Sequence, residues 1–215
     1  MLNEKTRAVV QSLLSINDSV IFTYPTICVR SGKSVFAFFD CSKHGETEFQ
    51  EFGTFSTTEM LSLVKLIPGA EVSVEDRLMI IKNSKNKIKY LTSKLLMLEE
   101  NCRQDPALLD KMRANTKLCE FELSQKDIES SIKTSALLKG LDNFVIKASD
   151  DGIVIDVKGD EKSSNSFSIE ASGEVDTDVE FTLDINNIKN IPSGDYSIAL
   201  HQNPKGVIVA IFTHK

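Results

Sequence analysis

Apolar and polar positions along the chain fall into two successions of short periodic segments. From about residue 4 to 16, Val9, Val10, Leu13 and Leu14 recur at helical spacing, with Lys5, Gln11, Ser12 and Ser15 on the polar side. Four strand-like runs follow at 20–24, 27–30, 35–41 and 47–52, divided by Pro25, by Ser31-Gly32 and by Lys43-His44-Gly45. Ser56-Thr57-Thr58-Glu59 has the spacing of a capping box, in which a hydroxyl and a carboxylate three residues apart satisfy the free amides of a helix start. The helix it opens sets Met60, Leu61, Val64 and Ile67 on one side and stops at Pro68-Gly69. Three further strands centre near Val74, Ile80 and Ile88.

The second half repeats this order. The spacing predicts a helix over 124–138 with Ile128, Ile132 and Ala136 on one side, then strands over 144–148, 153–158, 166–171 and 179–183. A short helix over 184–191 has Ile185, Ile188 and Ile191 three apart, stops at Pro192-Ser193-Gly194, and precedes strands over 196–201 and 207–213. The two stops correspond, Ile67-Pro68-Gly69-Ala70-Glu71-Val72 against Ile191-Pro192-Ser193-Gly194-Asp195-Tyr196, although residue identity between the halves is low. Shared order therefore predicts two copies of one α+β unit. Glu99-Glu100-Asn101-Cys102-Arg103-Gln104-Asp105-Pro106 is polar and broken by proline, and Leu108, Leu109 and Met112 follow it. These patterns predict domains at 1–99 and 115–215, joined by a connector over 100–114.

Composition narrows the function. The 215 residues are 41% hydrophobic and 26% charged, with 10 Gly and 5 Pro, which excludes collagen-like and low-complexity chains. Cys28, Cys41, Cys102 and Cys119 are scattered without C-x-x-C spacing, so reduced, mostly buried thiols are expected, with no metal and no cofactor. The first residues are polar and no apolar run reaches the ~18 residues of a membrane span, so a cytoplasmic protein without membrane contact is expected. Nucleotide-binding glycine loops, the Walker lysine motif, H-E-x-x-H and G-x-S-x-G are all missing. His44, His201 and His214 fall in a loop, at a strand end and beside the terminus, and Asp150-Asp151-Gly152 reads as a hairpin turn rather than a carboxylate pair. Asp160 to Asn165 reads as another polar strand connection. With no nucleophile and base in view, the expectation is a non-enzyme.

Charge is unevenly placed. The net charge is −6, yet the four helices together carry +2, leaving −8 on strands and loops. Lys126 and Lys133 are seven apart and share a helical face opposite Ile128 and Ile132, while Thr58, Ser62 and Lys65 make a polar face on the second helix. A solvated amphipathic helix on a sheet would show the same lysines, so charge alone leaves both readings open.

The order of elements resembles a DNA sliding clamp, most nearly the trimeric processivity clamps of large tailed bacteriophages. The resemblance is carried by Leu13-Leu14-Ser15-Ile16-Asn17-Asp18-Ser19-Val20-Ile21, by Phe55-Ser56-Thr57-Thr58-Glu59-Met60-Leu61-Ser62-Leu63-Val64, and by Val179-Glu180-Phe181-Thr182-Leu183-Asp184-Ile185-Asn186-Asn187-Ile188 with Pro192-Ser193-Gly194-Asp195-Tyr196. It implies two similar domains, each with an antiparallel sheet outside and two helices on the inner face, and a ring of three chains around duplex DNA. The lumen residues it implies are Lys5, Arg7, Lys65, Lys126, Lys133, Lys139 and Lys189. Contacts from these to phosphates would be sequence-independent and salt-sensitive, as sliding requires.

The same resemblance implies partners. A DNA polymerase and a clamp loader would dock a short peptide beside the connector, at Leu108, Leu109 and Met112, with Lys43, His44 and Phe212 as walls. For the subunit interface it points to edge strands over Leu95, Leu96, Met97 and Leu98 and over Ser166, Phe167, Ser168 and Ile169. If phage-encoded, the protein would act in the host bacterial cytoplasm. The rival reading is a non-enzymatic α+β interaction module or virion component that does not encircle DNA.

Overall fold

The computed structural model describes residues 2–32, 34–159 and 165–215. The predicted connection over 160–164 lies outside the described residues. The chain divides into two compact units, Met1–Pro106 and Ala107–Lys215.

Unit 1 begins with α1 (Glu4–Leu13), capped by Asn3, whose side chain accepts from the Thr6 amide. Strands β1 (Val20–Phe22), β2 (Thr26–Ser31) and β3 (Val35–Asp40) follow, then a 3-10 turn over Cys41–His44. Next come β4 (Phe52–Thr54) and α2 (Thr57–Lys65). The expected strand over 47–52 is thus confined to its last residue and the two after it. One antiparallel sheet has the order β3-β2-β1-β4; a second, β5-β6-β7, is built from Glu71–Glu75, Leu78–Lys82 and Lys87–Leu91.

Alternation along β1 and β2 gives the first sheet two different faces. Val20, Phe22, Ile27 and Val29 point into the main core with Val10 and Leu13 of α1 and Met60, Leu61 and Val64 of α2. Phe22 and Phe52 stack there with ring centroids 4.5 Å apart. Ile21 points the other way, into a small cluster with Leu95, Leu98 and Cys102.

That second cluster corrects the sequence reading. Leu95, Leu96, Met97 and Leu98 are not an edge strand; they open α3 (Leu95–Cys102). Leu95, Leu98 and Cys102 recur at helical spacing and cover the outer face of the sheet, while Leu96 and Met97 are exposed. Gly53 makes the approach possible, because a Cβ there would lie 2.5 Å from Leu98 Cδ1. A continuous apolar run can be read as buried strand or as helix, and tertiary packing decides it here.

Unit 2 opens with α4 (Ala107–Arg113) and β8 (Thr116–Leu123), a strand missing from the sequence reading. The expected connector is therefore largely helical. Then come α5 (Gln125–Leu137), β9 (Asn143–Ser149), β10 (Gly152–Lys158), β11 (Ser166–Ala171), β12 (Gly173–Val175) and β13 (Val179–Asp184). α6 (Ile185–Lys189), β14 (Tyr196–Gln202) and β15 (Ile208–His214) complete it. Ser124 and Asp127 form a reciprocal capping box on α5. The antiparallel sheets are β11-β10-β9-β13 and β12-β8-β14-β15, and α5 and α6 lie side by side. Ile128 is buried and Ile132 half-buried on α5 as expected, but Ala136 is exposed.

Candidate nucleic-acid interface

Each unit presents a pair of neighbouring helices, α1 with α2 and α5 with α6, and the predicted basic residues distribute over them. Lys5, Lys65, Lys126, Lys133 and Lys189 are exposed on helix surfaces. Arg7 is half-buried and lines an open cleft with Asn3, Glu46 and Lys82 at the start of α1. Lys5 and Arg7, two residues apart on a 3.6-residue repeat, leave α1 on opposite flanks. Lys139 is exposed in the turn that follows α5, not on the helix.

Several of these cations are steadied by neighbours. Lys65 Nζ donates to Gln11 Oε1 at 2.6 Å, linking α2 to α1. Lys133 pairs with Glu129 at 3.0 Å, one turn earlier on α5, and Lys189 donates to Asn186 at 3.2 Å. Lys126 makes no hydrogen bond or ion pair among the described residues.

The placing of α2 depends on Asp18. Its carboxylate accepts from the Thr58 amide at 2.7 Å, the Thr58 hydroxyl at 2.8 Å and the Ser56 hydroxyl at 2.9 Å. Burial pushes the Asp18 carboxyl up, but these hydrogen bonds outweigh it and hold the group below the usual carboxylate value. Ser56 itself accepts from the Glu59 amide at 3.3 Å.

The expected peptide-docking residues divide between the units. Lys43 and His44 are exposed in the 3-10 turn of unit 1, where His44 lies against Phe39 with centroids 4.9 Å apart. In unit 2, Leu108, Leu109 and Met112 are half-buried on α4, and Phe212 is half-buried on β15 beside Tyr196. A cleft of about 170 Å³ that the sequence did not suggest lies within unit 1, where Cys102–Pro106 run over Ile21, Thr23 and Cys28. Arg103 fastens this stretch, donating to both Glu51 oxygens at 2.8 and 3.0 Å, while Arg30 donates to the Arg103 carbonyl at 3.1 Å. Burial pushes the Cys28 thiol up to about 12.

Sheet edges are the remaining expectation. Ser166, Phe167, Ser168 and Ile169 do belong to an edge strand, β11, which pairs only with β10 among the described residues. In unit 1 β7, paired only with β6 among the described residues, is an edge strand where 95–98 are not. Both alternate strictly, with Lys87, Lys89 and Leu91 exposed along β7 and Ser166, Ser168 and Glu170 along β11.

Comparison with known proteins fixes the architecture. No protein-family model and no curated protein matches the sequence. Among solved structures, A. fulgidus PCNA, with the C-terminal region of FEN-1 bound, superposes with a TM-score of 0.64 over 99% of this chain and 90% of that one, at 13% identity. PCNA from Entamoeba histolytica gives 0.62 over 97% and 93%, at 14% identity. The chain has the DNA sliding-clamp fold. The β subunit of DNA polymerase III from Thermotoga maritima also matches, with a TM-score of 0.59 at 10% identity; this chain is covered to 97% but spans only 64% of that one. The fold is α+β with two similar clamp-type units, as the sequence predicted. No helix among the described residues is long and apolar enough to cross a membrane.

Proposed function

We propose that the protein is a sliding clamp: three copies close into a ring around duplex DNA and tether the replicative DNA polymerase, without catalysis and without reading sequence. The observation that carries this reading is the repeated helix pair, exposed lysines included, in a chain that matches PCNA over nearly its whole length. Two units per chain and three chains give a six-unit ring, with α1, α2, α5 and α6 of each copy toward the DNA. Lys5, Lys65, Lys126, Lys133 and Lys189 contact phosphates there, with Arg7 and Lys139 at the margins. Such contacts attract DNA at any sequence and release it readily, so the closed ring supplies the residence time.

The acidity of the chain suits this arrangement. Acidic strands and loops outside discourage DNA from adhering to the outer surface, while slightly basic helices receive it within. Polymerase and clamp loader dock a short peptide beside Leu108, Leu109, Met112 and Phe212. Ring closure joins β7 of one copy to β11 of the next.

Sedimentation equilibrium at micromolar concentration tests the ring. The reading expects a species of three chains; a single species at the 23.9 kDa of one chain would overturn it. Lys126→Glu with Lys133→Glu is expected to preserve assembly and abolish DNA retention.

A further inference from the structure

The two units differ in their second sheets. In unit 2, β8 lies between β12 and β14 and leads directly into α5. In unit 1, β5 holds the position of β14, since each follows the short helix and the chain-breaking stop that the units share. Among the described residues β5 pairs with β6 alone, so its other edge is open where β14 carries β8. A cleft of about 600 Å³ lies along that edge. Residues 70–73 make one wall, residues 45–47 another, and Leu2, Asn3 and Arg7 at the start of α1 complete it.

An open row of backbone N–H and C=O groups is a template for another strand. Its charges disfavour a second copy of β5. Glu71, Ser73 and Glu75 are the exposed row of that strand, so two β5 strands in antiparallel register set Glu71 opposite Glu75, and like charges directly opposite are destabilising. The carboxylates of the cleft are engaged. Glu46 is buried and accepts from the Leu2 amide at 3.2 Å and from the Asn3 amide, while Glu71 pairs with Lys82 at 3.8 Å. The half-buried Arg7 guanidinium makes no hydrogen bond or ion pair among the described residues. Counted from the N-caps Asn3 and Ser124, Arg7 stands where α5 has the buried Ile128. The cleft therefore holds an unanswered positive charge at a position that is apolar in unit 2.

We propose that unit 1 binds an extended segment of a partner protein as a strand added antiparallel to β5, with apolar side chains opposite Val72 and Val74 and a carboxylate on Arg7. The pattern follows from unit 2, where β14 sets Tyr196 opposite Leu123, Ser197 opposite Glu122 and Ile198 opposite Phe121. Aligned at the two stops, Val72, Ser73 and Val74 correspond to Tyr196, Ser197 and Ile198. Glu75 stands where β14 has Ala199, so a basic residue of the segment belongs opposite it. Backbone hydrogen bonds give such a segment its affinity, and its alternate side chains give specificity. The site lies within unit 1 of one chain. It is therefore independent of ring closure and uses none of the residues assigned to peptide docking beside α4.

The probe is a fluorescein-labelled peptide of the β8 sequence, Thr116–Leu123, carrying Cys119→Ser and, to answer Glu75, Glu120→Lys. Anisotropy and hydrogen exchange on the full chain read its binding, which is expected to slow exchange of the β5 amides that do not pair with β6. In the protein, Arg7→Glu is expected to weaken binding by about tenfold or more, the loss of a charged hydrogen bond, and Glu122→Lys in the peptide to restore it. Circular dichroism shows that the variant keeps its fold. Peptides N-methylated at residues 119, 121 and 123 or at 118, 120 and 122 are expected to differ by about tenfold or more, because alternate residues of a strand turn their N–H groups to opposite sides. Absence of binding, or equal loss from both methylated sets, would overturn the proposal. So would slow exchange of the edge amides in free protein that is lost on dilution, since a second copy would then fill the edge.

Discussion

The helix over Leu95–Cys102 makes a sharp prediction because two leucines two residues apart have opposite fates. Leu98 is 2% exposed, packed on Ile21 and Cys102 directly above Gly53, whereas Leu96 is 82% exposed. Truncating a buried leucine to alanine costs about 2–5 kcal/mol in well-packed cores. This cluster is small and lies on the outer face of the sheet, where neighbours can relax, so Leu98→Ala belongs at the lower end, about 2–3 kcal/mol. For a domain of this size each kcal/mol shifts Tm by roughly 4 °C, giving a loss of about 8–12 °C. Leu96→Ala removes no buried contact and stays within about 0.5 kcal/mol. Urea titration followed by far-UV circular dichroism measures both, since the chain has no tryptophan to report by fluorescence. In a strand, residues 96 and 98 would share one face. Equal losses for the two variants, or a silent Leu98→Ala, would refute the helix.

Further outcomes follow from the same structure. Asp18→Ala removes the acceptor of the Thr58 amide and should destabilise unit 1 by about 1–2 kcal/mol in the same titration, as loss of a helix cap does. The Arg103 hydrogen bonds and charge hold the Glu51 carboxyl below its usual value, so their stabilisation is present above the ordinary carboxylate range and fades as pH falls through the folded value. Both side chains are partly exposed, so wild type should exceed Glu51→Gln by no more than about 1 kcal/mol at pH 7, and the gap should close as the pH falls through the lowered folded value. Burial pushes Cys28 up to about 12 and Cys41 up to about 11, and Cys102 and Cys119 are buried as well. A thiol reagent should therefore modify all four only on unfolding; rapid labelling of the folded protein would contradict the burial.

Much of the fold could be read from local signals. Ser56 accepts from the third amide of α2, and Pro68-Gly69 ends the turn after that helix, because capping and chain-breaking are settled within a few residues. The alternation over 166–171 and 179–183 became β11 and β13 for the same reason. β8 was also legible, since Cys119, Phe121 and Leu123 alternate with Glu120 and Glu122, but its nearness to the connector hid it. Leu95 to Leu98 could not be resolved locally: four apolar residues in a row suit a strand or a helix, and Gly53, over forty residues away, admits the helix. The exposure of Ala136 and the freedom of β7 are equally non-local, because each depends on what the rest of the chain leaves uncovered.

Encirclement is the central claim, and topological retention measures it most directly. The protein is allowed to thread onto linear duplex at low salt, both DNA ends are blocked with bound streptavidin, and the salt is then raised to screen phosphate contacts. The account predicts that protein stays on blocked duplex through the high-salt wash and leaves unblocked duplex at once. Equal loss from both would show that only charge had held the protein to DNA, and would contradict the ring.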